Sequence, residues 1–359
     1  MQQKKFGCNL PKHIRRKYMK KKLLCAFVAL AMVVGLGACS NSSSDSNSDG
    51  NTNNNNNNAG GDTLKIGVIQ YAAHPSLDNC YEGIKQGLEE SSYSGKYTID
   101  FQNGQNSSEN CDQYAKNMVA QNYDIIFAIA TPAAISAYSA AKDRDIPVIF
   151  CAVSDPVEAG LAKSLDAGLD TCNGTADILN LAEQLNMIMA FQPDVKKIGV
   201  LYTTTEPNSL SHLKLFKELC SAKSVEVVEQ GVSGSADIPQ AAADLASKVD
   251  CINNFTDNNV VNSLSIVLEK ANAAGIPVYG SEVEQVKNGC LASMSIDYVS
   301  LGKKTAEMGV KVLDGTKCSE LAVAQISDVT PVVNTDVLAQ FNITLPDAYK
   351  EAEQVTTNS

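Results

Sequence analysis

Two hydroxyl residues stand where helix-period segments open after strand-like runs. Ser76 precedes Leu77 in His74-Pro75-Ser76-Leu77-Asp78, and Thr131 opens Thr131-Pro132-Ala133-Ala134. A helix N-terminus presents free N–H groups and the positive end of its dipole, so either site suits a carboxylate. Ala133 and Ala134 are small enough to let a ligand reach the backbone. Plain N-capping by Ser76 and Thr131 is the alternative. A ligand ammonium needs a carboxylate, and Asp257 in Thr256-Asp257-Asn258 ends a strand-like run. Capping of a helix from Val260 is its alternative role, and Asp155 and Asp297, also at strand ends, are secondary candidates. Thr204, Asn208 and Glu282 lie in connections of the same kind. Tyr71, Phe255, Tyr279 and Tyr298 could supply apolar lining, although aromatics at strand ends more often pack internally. His74, fixed by Pro75, reads as a loop-shaping residue or minor contact.

Catalytic signatures are missing. The chain has no G-x-x-x-x-G-K-[ST] phosphate loop, no G-x-G-x-x-G opening a helix and no G-x-S-x-G elbow. His212 falls in an amphipathic segment, Ser209–Cys220, away from these loops, so no Ser–His pair is suggested. Beyond Cys39, eight cysteines are scattered without a C-x-x-C pair, and His74 and His212 are the only histidines there. Zinc needs clustered ligands. We therefore expect buried free thiols, no metal, no cofactor and no enzyme.

The net charge of −11 joins two unlike parts. Residues 1–38 hold nine Lys/Arg and no acid, which leaves 20 basic against 40 acidic residues beyond them, a net charge near −20. Arg144 is the only arginine in that remainder. This excludes a nucleic-acid footprint. It also argues against a guanidinium clamp on a carboxylate, which turns attention back to helix N-termini.

Residues 1–38 read as a leader whose start is expected at Met19: a basic stretch, an apolar run from Leu23 to Val34, and small residues ahead of Cys39. Residues 39–62 are rich in Asn and Ser, a flexible tether of roughly 25 Å r.m.s. reach. From Leu64 onward, strand-length apolar runs alternate with helical segments, which indicates βαβ units and parallel sheets. The pattern repeats: Lys65-Ile66-Gly67-Val68 returns as Lys197-Ile198-Gly199-Val200, and Ile146-Pro147-Val148 as Ile276-Pro277-Val278. The expected fold is α/β, two Rossmann-like lobes with a ligand cleft between them. Lobe 1 is expected to comprise 63–155 plus 281–320, and lobe 2 156–280 plus 321–359. Hinges are expected near Asp155–Asn173, Gly280–Glu282 and Leu321–Thr330. Ligands in such sheets sit beyond the carboxyl ends of the strands, where the candidate residues lie.

His74-Pro75-Ser76-Leu77-Asp78, Ala130-Thr131-Pro132-Ala133-Ala134, Ser154-Asp155-Pro156-Val157, Asn173-Gly174-Thr175, Thr256-Asp257-Asn258 and Gly302 with Lys303–Met308 occur in that order. Together they resemble the ABC-transporter substrate-binding lipoproteins of the tryptophan/tyrosine type, which have a type I periplasmic-binding-protein fold. Leu36-Gly37-Ala38-Cys39 resembles their lipobox, which implies a lipid on Cys39 and an extracytoplasmic, membrane-anchored body, expected to be monomeric. The resemblance implies a free amino acid with an aromatic or large apolar side chain as ligand, with a membrane permease and a cytoplasmic ATPase as partners. Asn173-Gly174-Thr175 departs from the longer Gly-Gly-Asn-Val-Thr-Gly usual there. A same-fold protein for a sugar or nucleoside, or a ligand sensor, is the alternative.

Overall fold

A computed structural model describes residues 63–326 and 329–358. The leader, Cys39 and the tether lie outside the described residues.

The first half of the chain runs β1 (Leu64–Gln70), α1 (Pro75–Glu89), β2 (Tyr97–Asn103), α2 (Ser108–Ala120), β3 (Ile125–Ile129), α3 (Thr131–Ala141) and β4 (Val148–Cys151). A small antiparallel hairpin of β5 (Ala162–Ser164) and β6 (Ala167–Gly168) follows, then β7 (Cys172–Ala176). The second half begins α4 (Leu181–Phe191), β8 (Lys197–Thr203), α5 (Pro207–Ala222), β9 (Glu226–Val232) and α6 (Ile238–Ala246). It continues β10 (Cys251–Asn253), α7 (Asn258–Asn262), α8 (Leu264–Ala274), β11 (Val278–Tyr279), α9 (Val283–Lys287) and β12 (Ala292–Ser295). The chain closes with α10 (Tyr298–Leu313), β13 (Ala324–Gln325), β14 (Thr330–Asn334), α11 (Thr335–Phe341) and β15 (Glu353–Val355).

Two sheets result. The first is parallel throughout, in the order β13-β7-β4-β3-β1-β2, and the second is parallel in the order β11-β10-β8-β9. Backbone bonds from Gly280 to Ala292 and from Leu291 to Val278 add β12, which pairs with β14 and through it β15. The sequence repeat has a structural counterpart. The Asp124 carboxylate accepts from Lys65 N at 2.7 Å, and the Asp250 carboxylate accepts from Lys197 N at 2.8 Å. Likewise Ile126 and Ile252 each donate to the carbonyl of the proline in the repeated Ile-Pro-Val. Fully buried β-branched and aliphatic runs such as Ile125–Ile129 fit a sheet covered on both faces.

The sheets divide the chain at points other than the expected ones. β7 belongs to the first sheet, so the first crossing comes after Ala176 and not at residue 155. Cys-Asn-Gly-Thr-Ala does not read as a strand, yet each residue is buried and partnered. Asn173 donates to the Cys318 and Leu321 carbonyls at 2.9 and 2.7 Å, and a Cβ on Gly174 would stand 2.0 Å from the Phe150 carbonyl oxygen. β11, α9 and β12 all lie with the second sheet, so Gly280–Glu282 does not cross between lobes. The return falls between Ser295 and Tyr298, and β13 joins the first sheet before the last crossing.

α1 and α10 cross tightly over the first sheet, with Gly83 opposite Gly302. All eight described cysteines are buried and unpaired, as burial among apolar strands suggested. Among the described residues no group of ligands could hold a metal ion, and no helix is long and apolar enough to cross a membrane.

Candidate ligand-binding site

A cavity of about 340 Å³ lies between the lobes. The first lobe contributes His74, Ser76, Leu77, Ala130, Thr131, Ala152 and Ser154; the crossings contribute Asp177 and Tyr298; the second lobe contributes Asn208, Thr256, Asn258, Val261 and Gln285. No lysine or arginine is among them.

The starts of α1 and α3 face this space. Their capping positions are His74 and Ala130, and neither end has a side-chain cap, as is also true of α5, α6 and α8 but not of α2, α4, α7, α9, α10 and α11. First-turn N–H groups have no intrahelical partner, so two uncapped ends converging on one cavity form an anion site. Ser76 and Thr131 sit inside the first turns and do not cap them. Thr131 Oγ1 is buried without a partner. Ala130, at φ 78° and ψ 154°, occupies a backbone region that essentially only glycine visits, and Ala152 has φ 56°. Strain of this kind concentrates where a backbone must present itself to a ligand.

Asp177, one residue past β7, is 3% exposed. Its carboxylate accepts from Ser154 Oγ and Tyr298 OH, each at 3.0 Å. Burial raises it to about 6, against the lowering effect of those two hydroxyls and of its own backbone N–H. Neutral donors alone do not balance a buried charge, and the cavity supplies no cation. An ammonium in the cavity would complete the pair.

The second lobe closes the space with amides and hydroxyls. Asn208 donates to Glu206 and to the Thr256 carbonyl at 3.2 Å each, which leaves its Oδ1 without a partner; Thr256 Oγ1 is also unpartnered. Asn258 donates to Glu206 at 2.6 Å, and its Oδ1 lies 3.4 Å from His74 Nε2 in the other lobe. Burial lowers His74 to about 4, so the ring is neutral and Nε2–H is the donor. Beneath this floor Glu206 gathers five N–H donors from Asn208, Asn258 and Asn259. Burial, and secondarily Asp257, still raise Glu206 to about 7.

Of the expected residues, Ser76, Leu77, Thr131, Asn208, Thr256 and Asn258 line the cavity. Asp257 does not. Its carboxylate accepts from Thr203 N (2.6 Å), Thr203 Oγ1 (2.8 Å), Ser209 Oγ (2.7 Å) and Val260 N (3.0 Å), which leaves no lone pair for an ammonium. It is the cap of α7 and a strut between β8, α5 and α7. Asp257→Ala is accordingly expected to strand four buried donors and lower the melting temperature by about 5–10 °C. A melting curve matching wild type, measured by calorimetry, would contradict this role.

The remaining candidates are also occupied elsewhere. Asp297 caps α10 through Val299 N and Ser300 N, and Asp155 caps a turn at Glu158 N. Glu282 caps α9 through Glu284 N and Gln285 N, with the Ser76 hydroxyl beside it; burial raises it to about 7. Thr204 is exposed, Tyr71 OH bonds to the Asn106 carbonyl, and Ala133 is packed inside α3's core face. Phe255 packs tilted against His212 and edge-on to Phe216, and Tyr279 is core, so Tyr298 alone of the four aromatics reaches the cavity. Ala130, Ala152, Ser154, Asp177, Val261 and Gln285 also line the cavity and were not among the expected residues. The one sequence signal for Asp177 is its type: an acid following the segment Asn173-Gly174-Thr175.

Residues 65–356 match the family model for ABC transporter substrate binding proteins. The chain belongs to that family. Its members are substrate-binding proteins, not enzymes, and they work outside the cytoplasm. Among its relatives is the tyrosine-binding protein of Clostridioides difficile (strain R20291), 39% identical over 275 residues, which span 76% of this chain and 79% of that protein. The crystal structure of an ABC domain from Streptococcus pneumoniae in complex with L-Trp is 35% identical, with a TM-score of 0.79 over 82% of this chain and 99% of that one. The ligand-free, open structure of a Clostridium difficile substrate binding protein with adhesive properties is 37% identical over the same shares, yet its TM-score is 0.63. At nearly equal identity, this substrate-binding protein therefore matches the L-Trp complex better than the open form. That agrees with a cavity bridged across the lobes by His74 and Asn258.

Proposed function

We propose that this substrate-binding protein takes a free amino acid with an aromatic side chain, tyrosine or tryptophan, and delivers it to the permease of an ABC importer. The observation that carries the reading is the pairing of opposite demands in one cavity. Two uncapped helix N-termini face a buried carboxylate that lacks a cation, which is the mirror image of a zwitterion. The ligand carboxylate would lie on the first turns of α1 and α3, near Ser76 and Thr131, and its ammonium on Asp177. The side chain would then extend toward Leu77, Val261, Asn208 and Thr256. The ligands named for the two relatives, tyrosine and L-Trp, support the same class. Because both lobes touch the ligand, binding favours the closed arrangement and shifts the population toward it.

The body is held at the outer face of the membrane by a lipid on Cys39, through the Asn-rich tether; the mass of the mature N-terminus reads this directly. A thermal-shift panel of amino acids, sugars and nucleosides tests the ligand class. Tyrosine or tryptophan should raise the melting temperature by several degrees at a hundredfold excess over Kd. Stabilisation by sugars alone would overturn the assignment.

A further inference from the structure

Six large apolar side chains are exposed among the described residues, and five of them share one groove. Val157, Leu165, Ile178, Leu210 and Leu215 are 39–45% exposed and line a depression of about 1540 Å³; Phe101 lies elsewhere. Clustering of this kind marks an interaction surface, whereas scattered apolar residues do not. On α5 the groove-facing positions are Pro207, Leu210, Ser211, Lys214, Leu215 and Glu218, a stripe at helical spacing that points away from the buried Leu213 and Phe216. Its wall also holds His212, 6% exposed, with both ring nitrogens unpartnered and the Asp155 charge near it from the other lobe.

The groove is assembled from three sources: the loop after β4 and the β5–β6 turn in the first lobe, the crossing at Ile178–Leu179, and α5 in the second lobe. Its width therefore depends on how the lobes are closed. A transporter must distinguish a loaded protein from an empty one, and only a surface shared by both lobes reports that difference. The rim carries Asp155, Glu158 and Glu218 against Lys214, so it favours a partner with basic residues beside its apolar anchors.

We propose that this groove is the docking surface for an extracytoplasmic segment of the cognate permease, one with Leu-, Ile- or Phe-type anchors flanked by Lys or Arg. The inference rests on permease delivery but not on which ligand is carried. The test places a photo-crosslinking residue at Lys214 of the full chain in its native cell, and in a second strain at Gln105, beyond the edge strand β2. An adduct with the permease, identified by mass spectrometry, is expected from position 214 and not from 105. Leu210→Glu with Leu215→Glu should reduce it at least fivefold, while the ligand affinity of the purified full chain stays within twofold. A permease adduct from 105 alone, or an adduct from 214 only with a second copy of this chain, would overturn the docking site and leave delivery standing. No permease adduct from either position would contradict delivery as well.

Discussion

Asp177→Asn is expected to weaken amino-acid binding by about a hundredfold or more and, at the same time, to raise the melting temperature of the empty protein. Both effects have one cause. The carboxylate is buried with two hydroxyl donors and no cation, and burial raises it to about 6 from an ordinary 3.8. Between those values the folded chain binds more protons than the unfolded one, so stability falls as pH rises through that window. Above about pH 6 the whole cost of the buried charge is present, on the order of 3 kcal/mol. Asparagine carries no charge and avoids it, so the empty variant should melt a few degrees higher at pH 7.5 and at the same temperature near pH 3. With ligand the sign reverses, because removing one member of a buried charge pair leaves the other unpaired, a loss of roughly 3–5 kcal/mol. Wild-type affinity should likewise weaken as pH falls below about 6, by up to tenfold per unit. A variant that binds as tightly as wild type, or melts lower when empty, would remove Asp177 from this role.

Gly302→Ala is expected to be strongly damaging to the first lobe. A Cβ at Gly302 would stand 2.1 Å from the Cys80 carbonyl oxygen and 2.9 Å from Gly83 Cα and Ile84 N. These are backbone atoms of α1 and cannot swing aside, so the helices must separate. Overpacking of this kind costs about 1–3 kcal/mol, more where the backbone itself must move. Separation also shifts Ser76 and Leu77 at the start of α1 against Tyr298 at the start of α10, so affinity should fall together with stability. Gly234→Ala, where nothing lies within 4 Å of the new Cβ, is the matched control and should melt within about 1 °C of wild type. Equal melting of the two variants would show that the helix contact does not hold the lobe as described.

The architecture was legible because apolar periodicity and a repeated Lys-Ile-Gly-Val survive in the sequence, and strand ends name the loops that face a cleft. That reasoning located Ser76, Leu77, Thr131, Asn208, Thr256 and Asn258. It could not assign the acids. Residue type marks Asp257 and Asp177 alike, but whether a lone pair is free depends on partners far along the chain. Thr203 and Ser209 saturate Asp257 from 54 and 48 residues away. Tyr298, 121 residues from Asp177, helps bury it without neutralising it. The lobe boundaries were misplaced for a related reason. β7 is a strand because Asn173 and Thr175 find partners at Cys318, Leu321 and Thr305, and nothing in Cys-Asn-Gly-Thr-Ala announces those bonds.

The zwitterion reading is tested most directly by titration calorimetry of the wild-type chain with L-tyrosine and L-tryptophan, beside tyramine and 3-(4-hydroxyphenyl)propanoate. The last two each lack one of the ligand's charges. The expected result is saturable binding of at least one of the amino acids, with about a hundredfold or greater loss for each analogue, since Asp177 loses its ammonium in one case and the α1 and α3 termini their carboxylate in the other. Comparable affinity for 3-(4-hydroxyphenyl)propanoate, or no binding of either amino acid, would contradict the account.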